Sequence, residues 1–155
     1  MNENGYFAII NGPNLNRLGR RDPATYGTAT LADILTAASG AAPDYGQRTF
    51  QSNCEGDIID AIQQATDDSR CAGIIINPGA YAHYSHAIAD AIRDAREAGR
   101  AVVEVHLSNI HAREEFRARS LTGAACNTII TGAGGYGYAL ARMALAHHLN
   151  EARKP

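Results

Sequence analysis

Cysteine is scarce in this sequence: 155 residues hold only Cys54, Cys71 and Cys126, far apart and without a C-x-x-C pair. A small odd set of this kind makes no disulfide framework and reads as reduced, buried thiols of a cytoplasmic protein. Net charge is also missing. The formal value is −2, so general nucleic-acid binding and membrane-surface binding are not expected. No apolar run approaches the roughly 18 residues that a membrane span needs. The opening MNENG is polar and lacks the apolar stretch of a secretory signal. Repeats, linkers and low-complexity tracts are absent, which leaves one domain over residues 1–155.

What is present is concentrated in loops. Asn11 to Tyr26, NGPNLNRLGRRDPATY, packs two Gly, two Pro, three Asn, three Arg and one Tyr into sixteen residues. Gly and Pro here favour turns over a regular helix. Connections in compact domains usually run about 2–6 residues, and longer ones tend to be lids or binding loops. Arg17, Arg20 and Arg21 cluster in this loop, and Arg113, Arg117 and Arg119 cluster later. Two arginine groups in a near-neutral chain point to a small anionic ligand.

The rest of the chain alternates strand and helix patterns. Tyr6 to Ile10 is an apolar run that reads as the first strand. Thr30 with Asp33 three residues on marks a helix start, and LADILTAASGAA continues it to Pro43. RTFQSN reads as the second strand, and from Glu55 a helix places Ile58, Ile59, Ile62 and Ala65 on one face. The β-branched run Gly73 to Asn77 suits a strand buried on both faces. A helix from about Ser85 to Gly99 turns Ala87, Ile88, Ala91, Ile92 and Ala95 inward. Ala101 to Val105 and Asn127 to Thr131 supply the last strands, with a helical turn near Glu114 between them and a closing helix YALARMALAHHLNEA after them. This order predicts an α/β, flavodoxin-like, doubly wound five-stranded parallel sheet, order 2-1-3-4-5, with helices on both faces.

In such a sheet ligands bind beyond the carboxyl ends of the strands, near the switch point. The loops after strands one, three and four carry Asn14, Arg21, Tyr26, Asn77, His83, His106, Ser108, Arg113 and Arg117, whereas the turns at the opposite end are plainer. A free tyrosine, with a pKa of about 10, is a poor base at neutral pH, and a guanidinium beside it favours the phenolate. Tyr26 near Arg21 is therefore a candidate general base, or else packs on the sheet beside a surface arginine cluster. Glu104, His106 and Ser108 alternate and so share one side of the fourth strand. The carboxylate can orient the imidazole, making His106 a candidate general acid, or simply cap a strand-end histidine. Arg113 and Arg117, four apart, suit a carboxylate or phosphate if a helical turn aligns them; the alternative is pairing with Glu114 and Glu115. His83, His86 and Asp90 have helical spacing but no further ligand completes a metal site. GAGGYG follows the last strand and reads as a tight strand-to-helix turn. Cys54, at the head of a helix, reads as a small buried residue.

INGPNLNRLGRRDPATYG, FQSNCEGDIIDAI, IIINPGAYAHYS, VEVHLSNIHAREEFRARS and GYGYALA together resemble type II 3-dehydroquinate dehydratase, over about residues 6 to 145. That resemblance implies a hydro-lyase of the shikimate pathway or of quinate breakdown. It would convert 3-dehydroquinate to 3-dehydroshikimate by anti elimination through an enolate, with no cofactor and no metal, as a dodecamer of four trimers. It further implies Tyr26 as the base, Arg21 as the cation that keeps it ionised, and Asn14 as holder of the water on the enolate. His106 would be the acid, oriented by Glu104. Asn77, His83, Leu107, Ser108 and Arg117 would bind hydroxyls and carboxylate, with Asp90 reaching the site of a neighbouring subunit and Arg113 supporting its loop. Asn11 to Asn16 would form a fixed floor and Arg17 to Tyr26 a mobile lid. The chain departs from the family pattern at Cys54, Tyr84, Ala89 and Ser120 to Thr128, none of them an implied catalytic group; Ala89 and the last stretch fall where subunit contacts are expected. A nucleotide- or flavin-binding module on the same fold would instead want a Gly/Ser/Thr-rich first loop, and a non-catalytic relative would have lost Tyr26, Arg21 or His106.

Overall fold

The computed structural model describes residues 4–154, and for Tyr26 the backbone alone. Five parallel strands, β1 (Tyr6–Asn11), β2 (Gly46–Gln51), β3 (Cys71–Asn77), β4 (Ala101–His106) and β5 (Thr128–Thr131), lie in the order β2-β1-β3-β4-β5. The expected topology is therefore the observed one. Strand alternation splits the core in two. Ala8, Ile10, Ile74, Ile76 and Val102 face α3 (Glu55–Asp67) and α4 (His86–Glu97). Phe7, Ile9, Ile75, Val103 and Val105 face α2 (Leu31–Ala38) and α5 (Gly137–Ala152). Every residue of β1 is buried, as a central parallel strand covered on both faces requires. Among the described residues no helix is long and apolar enough to cross a membrane.

Local chemistry accounts for most boundaries. Thr30 and Asp33 close a reciprocal capping box at the start of α2: Thr30 Oγ1 accepts from the Asp33 N–H, and Asp33 Oδ2 accepts from the Thr30 N–H. That helix stops at Ala38 rather than Ala42. The buried guanidinium of Arg142, on α5, gathers the carbonyls of Ser39, Ala41, Ala42 and Tyr45, and so holds the turn into β2 in a non-helical path. The first loop also holds a short helix, α1 (Pro23–Tyr26), that the Gly/Pro content argued against. Asp22 caps it, accepting from the Ala24 N–H and the Thr25 hydroxyl, and Pro23 sits at the first position, where its missing N–H costs nothing.

Other expectations are corrected at residue level. Ala87 is exposed and Ala89, 1% exposed, takes the inward place on α4, so Ala89 is a core residue. Cys54 is exposed, because the residue preceding α3 faces solvent, whereas Cys71 is buried and Cys126 half-buried. Gly132 and Gly134 have φ of 87° and 58°, so GAGGYG is the tight turn its composition suggested.

Candidate active site

Three loops meet beyond the carboxyl ends of β1, β3 and β4, where the sheet order reverses between β1 and β3. They enclose a cleft of about 100 Å³. The first two loops are locked backbone to backbone. The Gly12 N–H donates to the Asn77 carbonyl at 2.7 Å, and a Cβ on Gly12 would lie 2.5 Å from the Pro78 carbonyl oxygen. Asn14 takes a left-handed conformation, φ 69°, with its N–H on Asn53 Oδ1 at 3.0 Å. This is an uncommon conformation for a residue other than glycine and tends to mark a functional turn. Leu15 and Leu18 are buried, so anchoring extends past the expected floor at Asn16 and into the segment read as a lid.

Beneath the cleft runs a buried polar chain. Asn77 Nδ2 donates to Tyr138 Oη at 3.1 Å, Tyr138 Oη donates to Asn11 Oδ1 at 2.5 Å, and Asn11 Nδ2 donates to the Phe50 carbonyl. Asn77 Oδ1 accepts from the Gly79 N–H. Burial pushes the Tyr138 phenol far above its ordinary pKa, so it stays a neutral donor and acceptor. This chain ties the ends of β1 and β3 to α5.

Two histidines line the cleft side by side, ring centroids 6.2 Å apart. His83 sits in a 3-10 turn, Gly79–His83, within what read as a loop. The Arg119 carbonyl, 2.9 Å from Nδ1, can only accept, so the ring proton lies on Nδ1 and Nε2 is left as an acceptor. Burial, opposed by that carbonyl and reinforced by His106 and Arg117, holds the His83 pKa below 6.5 and keeps the ring neutral. His106, 6% exposed, places Nε2 2.6 Å from Oε1 of the fully buried Glu104. A carboxylate accepts, so the Nε2 proton points at Glu104 and Nδ1 is the nitrogen left for proton exchange. The shared strand side of Glu104 and His106 is thus realised. Ser108 lies past the end of β4, where its Oγ accepts from Arg113 Nη1 at 3.3 Å.

The arginine pair is arranged differently from the expectation. Two short 3-10 turns, Ile110–Ala112 and Glu115–Arg117, flank an extended Arg113, so no continuous helical turn aligns Arg113 with Arg117. Instead the Glu114 carboxylate lies 2.8 Å from Arg117 Nε and 3.8 Å from Arg113 Nε. The Glu114 backbone N–H, then the Arg117 guanidinium, hold its carboxyl below the usual range. Glu115 makes no ion pair with them among the described residues. Arg113 also lines the cleft, rather than supporting its loop alone.

Of the sequence-derived candidates, Asn14, Arg21, Asn77, His83, His106, Leu107, Ser108 and Arg117 line one cleft, with Glu104 directly behind His106. Asp90 does not join them: it lies exposed on α4, paired with Arg93 at 2.7 Å. The side chain of Tyr26 lies outside the described residues. Among those residues no three His, Cys, Asp or Glu side chains are grouped to hold a metal ion. Sequence reading passed over Asn11 and Tyr138, which brace Asn77, and Ser120 and Thr122, which contact Glu104. Only the small hydroxyl residues following Arg117 hinted at the latter pair.

The same architecture recurs in known proteins. The 3-dehydroquinate dehydratase of Helicobacter acinonychis (strain Sheeba) is 52% identical over 147 residues, 92% of this chain and 85% of the relative. That of Bacillus pumilus (strain SAFR-032) is 49% identical over 142 residues, covering 88% and 90%. The crystal structure of type II dehydroquinase from Butyrivibrio crossotus superposes with a TM-score of 0.84 at 40% identity, covering 94% of this chain and 97% of that one. The family profile described as Dehydroquinase class II matches residues 6–146, and the chain belongs to that family.

Proposed function

We propose that this protein is a 3-dehydroquinate dehydratase, a hydro-lyase converting 3-dehydroquinate to 3-dehydroshikimate, with residues 1–155 as its single catalytic domain. The carrying observation is the cleft itself. One buried carboxylate–imidazole pair, one neutral imidazole and several arginines converge beyond the switch point of a class II dehydroquinase fold. A nucleotide- or flavin-binding role is not favoured, since the first loop offers Asn, Pro and Arg where a phosphate cradle needs Gly, Ser and Thr.

In this reading the Tyr26 phenolate, kept ionised by Arg21, removes the proton alpha to the ketone. The electrons pass to the carbonyl oxygen, and the enolate is stabilised through a water held by Asn14. Collapse of the enolate expels the hydroxyl on the opposite face. His106 acts as the imidazolium: its Nε2 proton stays on Glu104, its Nδ1 proton goes to that hydroxyl, and water departs, leaving the neutral Nε2–H ring. His83 Nε2 accepts from a substrate hydroxyl, Asn77 and the Leu107–Ser108 segment hold further hydroxyls, and Arg117 faces the carboxylate. Closure of the loop beyond the buried Leu18, through Tyr26, over the cleft excludes water and brings base and cation together. No cofactor enters the scheme. We further propose a cytoplasmic dodecamer of four trimers in which Asp90 completes a neighbour's site, serving aromatic biosynthesis or quinate breakdown.

Purified protein mixed with 3-dehydroquinate at neutral pH is expected to produce the ultraviolet absorbance of the conjugated enone; no rise overturns the activity. Tyr26→Phe is expected to lose about 10²-fold or more in turnover while still binding substrate, the range general acid–base groups contribute. A near-normal rate would remove Tyr26 as the base. Light scattering tests the twelve-subunit assembly, with a monomer or trimer mass counting against it.

A further inference from the structure

The buried Glu104 carboxylate receives more than His106. Its Oε1 also accepts from the Ser120 hydroxyl at 2.5 Å, and its Oε2 accepts from the Thr122 hydroxyl at 2.5 Å. Ser120 is itself aimed: its Oγ accepts the Gly123 N–H at 2.9 Å, which leaves its own proton for Glu104. Gly123 is shaped for this, since a Cβ there would lie 2.5 Å from Ile129 Cδ1, 2.9 Å from Ser120 Oγ and 3.1 Å from Glu104 Oε1. The segment is pinned from the other side as well, where the Leu121 N–H donates to the Ala82 carbonyl at 2.7 Å, next to His83.

Both carboxylate oxygens are therefore held by hydroxyls that do not reach the cleft, and the carboxylate cannot turn about its own axis without losing one of them. Building on the dehydratase reading, we propose that Ser120 and Thr122 are positioning residues for the elimination. They fix the plane of Glu104, which holds the Nε2–H of His106 on the carboxylate and so turns the Nδ1–H of the imidazolium toward the departing hydroxyl. A loose carboxylate would let the ring rotate, and the Nδ1 proton of the imidazolium would no longer face the departing hydroxyl. Thr122 has no exposed surface, and among the described residues its hydroxyl meets only Glu104 and, at 3.4 Å, Ser120.

Two readouts test this. Ser120→Ala and Thr122→Val are made singly, with Thr122→Ser as the hydroxyl-keeping control. Each deletion is expected to lower kcat at least about tenfold while KM stays within about threefold, and Thr122→Ser to stay near wild type. Solid-state NMR of ¹⁵N-histidine-labelled protein is expected to show neutral His106, the form left once Nδ1 has given its proton, as Nε2–H in wild type and Thr122→Ser, with the Nδ1–H form appearing in both deletions as the ring loses its fixed orientation on Glu104. Unchanged kcat in both deletions, or an unchanged His106 tautomer, overturns the proposal. If wild-type protein fails to dehydrate 3-dehydroquinate, the dehydratase reading falls by itself, and the tautomer spectra still decide the clamp.

Discussion

His106 Nε2 and Glu104 Oε1 are 2.6 Å apart, with the carboxylate wholly removed from solvent near the carboxyl end of β4. A buried carboxylate is tolerable only when its lone pairs are occupied, and here three side chains occupy them. Glu104→Gln replaces one acceptor oxygen by a donor that faces hydroxyl donors. It is expected to cost about 1–3 kcal/mol of stability from unmade hydrogen bonds, and at least about tenfold in kcat. Denaturant unfolding and steady-state kinetics check both.

Tyr138→Phe removes the link between Asn11 and Asn77 without changing core shape. Two buried amide groups lose a partner, so a destabilisation of about 1–3 kcal/mol is expected. KM should rise as well, because Asn77 loses the bond that orients it toward the cleft. Thermal melts and substrate titrations measure the two effects.

Gly12→Ala places a methyl against the Pro78 carbonyl, where both partners are backbone and neither can rotate away. The loops after β1 and β3 must separate, at an expected cost of about 1–3 kcal/mol or more. Activity should fall with stability, since Asn14 and Asn77 ride on those two loops. An unchanged melting temperature would show that the loops are less tightly coupled than their contact implies.

Acid stability should depend on His83. Its folded pKa lies below 6.5, so the unfolded chain binds the proton more readily. The stabilising effect of the neutral ring is therefore complete above about pH 6.5 and is lost as the pH falls below it. His83→Asn keeps a donor for the Arg119 carbonyl but does not titrate. It is expected to flatten the stability–pH curve just below pH 6.5, measured by chemical denaturation at several pH values.

The order of strands and helices, the all-parallel sheet and the loops that line the cleft were legible from the chain, because each rests on local periodicity and on where polar residues interrupt it. The Thr30–Asp33 cap, the buried β3 run and the spacing of Glu104 and His106 are short-range features of this kind. The pairing of Arg142 with the turn after α2, the Asn11–Tyr138–Asn77 chain and the hydroxyls on Glu104 join residues from 16 to 127 positions apart. No period along the sequence encodes such contacts; they exist only once the sheet has twisted its ends together. The sequence by itself determined which loops could hold a cleft and which side chains could do acid–base work. Tertiary structure decided which nitrogen of each histidine is available: the carbonyl on His83 comes from Arg119, far along the chain, and the carboxylate two residues before His106 is oriented by the distant Ser120 and Thr122 hydroxyls.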